Sequence, residues 1–147
     1  MRNNKFIWAV LAAAVTFTLL GWVTYDLLLK SFYDSNSGLP AEIHSQVFKA
    51  DDQMNMGAMI VSNLAGALLL TTILMWGNFT SAMSGAKAAA IICLLMGLSI
   101  DFGFLSFSNL FTMKLAFGDI IANTLMGTIT GAVIGMVLGK GTSPVTA

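Results

Sequence analysis

The sequence predicts an all-α membrane protein, a four-transmembrane-helix bundle with a short amphipathic interfacial helix in its first loop. Hydrophobic residues make up 56% of the 147 residues and charged residues only 10%, whereas about 25% charged residues is usual in a soluble domain. The mean hydropathy is +0.81. Because crossing about 30 Å of hydrocarbon takes roughly 20 residues of helix, we expect one membrane domain over 1–147 with spans at about 6–25, 56–76, 86–107 and 119–138.

The first span follows Arg2 and Lys5, a start that a secretory signal peptide would share. Its apolar run continues to Val23 without a small-x-small cleavage pattern, so we expect it to be retained as a helix. All four runs are continuous rather than alternating, which favours helices over the strands of a barrel.

The outer loop, residues 26–55, is the one sizeable polar segment. Residues 34–38 form a turn cluster, and Pro40 suits the first position of a helix. Leu39, Ile43 and Val47 recur at four-residue spacing, which predicts a short amphipathic helix on the membrane surface. We expect the later connection, 108–118, to dip into the interface.

Glycines recur every fourth residue along the last span. Lipid gives helices no hydrophobic reason to associate, so a stripe without side chains favours close backbone contact. This row predicts tight packing, either within the chain or against a partner or second copy. The predicted helix-packing glycines, on three spans, are Gly66, Gly97, Gly127, Gly131, Gly135 and Gly139.

Polar residues in the spans are predicted to converge at one depth. Antiparallel packing of the last two helices would bring Asp101 near Asp119 and Asn123. Two neighbouring carboxylates can share a proton or hold a cation; alternatively, both aspartates cap helix ends. The candidate ligand or ion site comprises Asp26, Asn63, Asp101, Asp119 and Asn123.

A soft-metal site is the weaker alternative. His44, Met54, Met56 and Met59 could bind Cu(I), but methionine is a common filler of membrane helices and occurs ten times here. We therefore expect no metal and no cofactor. With one histidine, one cysteine, no Gly-x-Ser-x-Gly elbow and no phosphate loop, we expect no enzyme activity. The sequence has no basic patch that would indicate nucleic-acid binding.

A family resemblance rests on several short stretches. Tyr25-Asp26-Leu27-Leu28 ends the first span, Ser99-Ile100-Asp101 precedes the stretch 107–114, and Gly118-Asp119-Ile120-Ile121 opens the last span. Over about half the chain, this resembles small four-helix bacterial inner-membrane proteins of a domain-of-unknown-function family, whose corresponding motif reads about Thr-Tyr-Asp-Leu-Thr-Asn. The resemblance implies a fold and a bacterial origin, and no activity.

These patterns favour a non-catalytic membrane protein that works through helix packing, as an accessory or assembly subunit or a small oligomer. Its partners would be the lipid bilayer and a membrane protein or second copy bound through the glycine row. The alternative is a small carrier that binds an ion, a proton or a polar solute at the Asp/Asn level. Four basic residues against three predict that both termini lie on the cytoplasmic side. The resemblance implies that the membrane is the bacterial cytoplasmic membrane.

Overall fold

The structure, a computed structural model, describes residues 2–49 and 53–140. It is all-helical, with no strand in that part of the chain. Helix α1 continues without a break into a π-helical segment, Trp22–Leu28. The α-helices are α1 (Arg2–Gly21), α2 (Lys30–Asn36), α3 (Ala41–Val47), α4 (Met56–Trp76), α5 (Ala82–Phe107) and α6 (Met113–Gly139).

Four helices are long and apolar enough to cross a membrane, which confirms the predicted fold class. They are Asn4–Leu28, Met56–Trp76, Ala82–Phe107 and Met113–Gly139. Large apolar side chains such as Trp8, Leu95 and Ile121 point outward from them, where lipid rather than water would surround them. The chain is an integral membrane protein.

Two of the spans begin earlier than predicted because a hydroxyl caps each start. Ser81 and Ser84 form a reciprocal capping box, each hydroxyl accepting from the other's backbone N–H at 3.1 Å. The Thr112 hydroxyl accepts from the Leu115 N–H at 3.2 Å. The predicted connection over 108–118 is shorter in the structure, because helix α6 already begins at Met113, and its interfacial position stays a prediction.

The capping role considered for the two aspartates is also wrong. Asp101 lies inside α5, and Asp119 lies well past the start of α6. In the first loop, α3 occupies the predicted amphipathic segment. Residues 34–36 belong to α2 rather than to a turn, so the chain reverses later, at 37–40.

The helices pack as neighbours in the order α4, α1, α6, α5. Helices α5 and α6 contact each other along their length, whereas α4 and α5 barely touch. The Asn63 amide donates to the Thr18 hydroxyl at 3.2 Å, which places the end of α1 beside the start of α4. We call this the α2 end of the bundle. The opposite end holds a core of small and branched side chains: Ala9, Ala13, Ala67, Leu70, Leu74, Ala89, Ile134 and Leu138.

Candidate functional site

The glycine row of α6 faces α5 of the same chain. A Cβ added at Gly131 would lie 2.2 Å from the Ala89 Cβ and 2.5 Å from the Gly85 carbonyl oxygen. Only a residue without a side chain allows these two backbones to approach so closely. Three more glycines of the row make comparable contacts with residues 80–93: Gly127, Gly135 and Gly139.

The other two predicted packing glycines differ from this row. Gly97 makes ordinary contact with Ile120 on α6, at 3.4 Å from an added Cβ. At Gly66 an added Cβ would meet nothing within 4 Å. Gly66 therefore borders open space within this chain and packs against no helix of the described residues.

Close packing of α5 on α6 brings Asp101 and Asp119 together near the α2 end. Asp101 is only 3% exposed, and its carboxyl lies next to the Asp119 carboxyl. Its Oδ2 atom is buried and makes no hydrogen bond within the described chain. Because ionised carboxylates only accept hydrogen bonds, this contact becomes favourable when one proton lies between the two groups.

Two tyrosines complete the site on the Asp119 side. The Tyr25 hydroxyl donates to Asp119 Oδ1 at 3.0 Å, and the Tyr33 hydroxyl donates to the same oxygen. The two rings meet edge to face with centroids 5.4 Å apart. They are the only tyrosines in the sequence. Sequence reasoning did not assign either of them to the site.

Helix α2 positions Tyr33 because it docks on the connection between α5 and α6. The Thr112 hydroxyl donates to the Asn36 carbonyl at 2.6 Å, and the Gly38 N–H donates to the Leu110 carbonyl at 3.3 Å. The Phe32 ring lies against Gly118, where an added Cβ would be 2.5 Å from it. The start of α6 is thus covered by α2.

The structure divides the predicted five-residue site. Asp101 and Asp119 form the carboxylate pair. Asn63 and Asn123 line a cleft between α4 and α5 instead. Asp26 is exposed and belongs to neither group. The sequence could show that these residues share a depth, but not which side of each helix faces which neighbour.

The copper hypothesis receives no support from the described residues. The His44 side chain lies outside them. Met54, Met56 and Met59 are 45%, 57% and 37% exposed. Within residues 2–49 and 53–140, no three side chains of His, Cys, Asp or Glu come together.

No protein-family model, no curated protein and no solved structure matches this chain. Its function is therefore argued from the geometry of the carboxylate pair and the tyrosines alone.

The tyrosines make the site measurable by alkaline titration. Burial, the hydrogen bond to Asp119 and the negative charge of Asp119 raise the pKa of the Tyr33 hydroxyl well above its usual range. A raised pKa favours the neutral phenol in the folded state. Its contribution to stability is therefore complete below about pH 10, the pKa of an unfolded tyrosine, and is lost as the pH rises through the folded pKa.

Tyr25→Phe leaves Tyr33 as the only source of tyrosinate absorbance. In folded Y25F we expect that absorbance to rise at a higher pH than in the same protein unfolded in denaturant. Adding D119N should bring the folded titration back toward the unfolded one. Coincident folded and unfolded titrations of Y25F would contradict the Tyr33 contact.

Proposed function

We propose that this chain is a non-catalytic membrane protein of the carrier class that binds and releases a proton at the Asp101–Asp119 pair. The observation that carries the proposal is the Asp101 Oδ2 atom, which is buried beside a second carboxyl group and has no hydrogen-bond partner among the described residues. An aspartate in a membrane helix costs about 2.5–3.5 kcal/mol at the helix centre on insertion scales, and less toward the helix ends where this pair lies. A purely structural position would avoid that cost with an apolar side chain.

A proton fits the pair better than a metal ion does. Calcium takes about 6–8 oxygen ligands, and magnesium needs near-ideal octahedral geometry. Here two carboxyl groups supply the acidic oxygens, and Asp119 Oδ1 already accepts from both tyrosines. No third acidic group joins them among the described residues. A shared proton needs only one oxygen from each aspartate.

Association through the glycine row gains no support from these contacts. Gly127, Gly131 and Gly135 lie against α5 of the same chain, so that face of α6 is already covered. For this reason we place proton binding ahead of an accessory-subunit role, which the sequence pattern alone had favoured.

We also propose that both termini lie on the cytoplasmic side of a bacterial membrane. The end that holds both termini would carry four basic residues: Arg2, Lys5, Lys87 and Lys140. The α2 end would carry three, and the side with more basic residues usually stays inside. The bacterial origin rests on the family resemblance. In this orientation the carboxylate pair lies in the outer leaflet.

Infrared difference spectroscopy on the full chain in lipid nanodiscs tests the proposal. We expect acidification to produce a protonated-carboxyl band from Asp101 that is absent from D101N. D26N is the matched control, because Asp26 is an exposed aspartate outside the pair, and it should keep the band. A D101N difference spectrum identical to that of the unmodified protein would overturn proton binding at the pair.

A further inference from the structure

The weak contact between α4 and α5 leaves a second place where a ligand can bind. A cleft of about 210 Å³ lies between them, bordered on its inner side by α1 and α6. Its polar lining consists of Ser62, Asn63, Cys93 and Asn123. We propose that this cleft binds an uncharged, single-chain amphiphile whose head group is a hydroxyl or a primary amide. The inference does not rest on proton binding at the carboxylate pair.

The lining of the cleft selects for a neutral molecule. Most of it is apolar, including Phe17, Leu69, Ile73 and Ile92, and none of the described residues that line it is charged. An ionised head group would therefore be desolvated without a counter-charge, which is expensive in a low-dielectric site. Charged lipid head groups are excluded on this ground, whereas a neutral head group is accepted.

Two asparagine amides specify the head group. Asn63 lines the cleft and uses its NH₂ group on Thr18 at 3.2 Å, which leaves its carbonyl oxygen available as an acceptor. Asn123 is half-buried, and its amide takes no part in the hydrogen bonds of the described residues. An amide that lacks a hydrogen-bond partner in an apolar environment costs free energy. A hydroxyl or primary amide both donates and accepts, so it can satisfy the two asparagines together.

The dimensions of the cleft favour one narrow chain. From Ser62 to Ile73 it follows α4 for about 16 Å, at about 1.5 Å per residue. Its volume of 210 Å³ is below the roughly 300–1,000 Å³ of pockets that take drug-sized molecules. Asn63 lies toward the α2 end and Ile73 toward the opposite end. The head group would therefore sit near the α2 end, with its chain running toward the membrane centre.

Photolabelling of the full chain in phosphatidylcholine nanodiscs tests this site. The probe is a dodecanol analogue that carries a diazirine on its chain, and labelled peptides are mapped by mass spectrometry. We expect labels on α4 between 62 and 73 and on α5 near Met96, and we expect excess dodecanol to compete for them. Labels spread over all lipid-facing surfaces, without competition, would overturn the proposal.

Two glycines allow a variant that blocks the cleft and a matched control variant that does not. A Cβ at either Gly66 or Gly103 would meet nothing within 4 Å, so a side chain can start at both positions without a clash. Gly66 lines the cleft and Gly103 does not. G66L should abolish the competed labels, and G103L should leave them unchanged. Equal labelling of the two variants would show that the cleft is not the site.

Head-group recognition is tested with Asn123→Leu and with a second probe. Loss of one neutral hydrogen bond lowers affinity about fivefold, so N123L should weaken labelling by that factor. The same diazirine chain ending in a methyl group should label the unmodified protein as weakly as the dodecanol probe labels N123L. Equal labelling by both probes would mean that the cleft takes lipid chains without recognising a head group, which overturns the proposal. D101N should label like the unmodified protein, whatever the outcome at the carboxylate pair.

Discussion

Replacing Gly131 by leucine will separate α5 from α6. An added Cβ there lies 2.2 Å from Ala89 Cβ and 2.5 Å from the Gly85 carbonyl oxygen, and the backbone carbonyl cannot rotate away as a flexible side chain could. Overpacking usually costs about 1–3 kcal/mol when neighbours adjust. Here the helices must move apart, so we expect a loss above about 3 kcal/mol, a large part of the roughly 5–15 kcal/mol that stabilises a typical domain.

The single cysteine lies at this seam and also borders the α4–α5 cleft, so it reports the separation by comparison with a matched control. Cys93 is 7% exposed, and its Sγ atom lies 2.2 Å from where a Cβ at Gly127 would stand. A membrane-permeant maleimide should therefore modify Cys93 slowly in the unmodified protein and rapidly in G131L. G103L adds the same side chain in open space and should react slowly. Equal rates in G131L and G103L would show that the close contact does not limit access.

Replacing Asp119 by alanine will release the tyrosines and destabilise the α2 end. Asp119 Oδ1 accepts hydrogen bonds from both Tyr25 and Tyr33, and a hydrogen bond to a charged group contributes about 1.5–3 kcal/mol. Both hydroxyls lose their acceptor in D119A. We expect a loss of about 3 kcal/mol in the free energy of unfolding, measured by titrating the protein from mild detergent into dodecyl sulfate.

A mutant cycle separates the lost hydrogen bonds from other effects of this change. Y25F/Y33F removes both donors, so adding D119A to it should cost much less than D119A alone. Asp119→Asn keeps one acceptor oxygen, so its loss in free energy of unfolding should lie between zero and that of D119A. If D119A costs the same with and without the tyrosine hydroxyls, the hydrogen bonds do not stabilise the fold.

The number and class of the spans were predictable because the hydrocarbon thickness of a membrane imposes a length and a composition on each span. The span over 56–76 agrees with α4. The early starts of α5 and α6 were not predicted, because they depend on single hydroxyl caps at Ser81 and Thr112. Hydropathy averaged over a window does not detect a single capping side chain, so it does not give the residue at which a helix begins.

The candidate site was predictable only along the α5–α6 seam. Four-residue spacing relates Asp101 to Gly97 and Asp119 to Asn123, so antiparallel packing alone brings the two acids together. Tyr33 reaches the site because α2 folds back onto α6, a tertiary contact that no local pattern encodes. Tyr25 lies in the π-helical segment, where the usual 3.6-residue period does not give the direction of its side chain. A second tyrosine eight residues after the first is the only hint the sequence offers.

The order α4, α1, α6, α5 makes the bundle an incomplete ring whose two end members barely touch. Helix α4 is nevertheless tied to α6, because Leu70 and Leu74 share one core with Ile134 and Leu138. Cys93 both borders the gap and lies against Gly127 of the α5–α6 seam. A substitution that changes the seam at Gly127 should therefore also change the width of the gap.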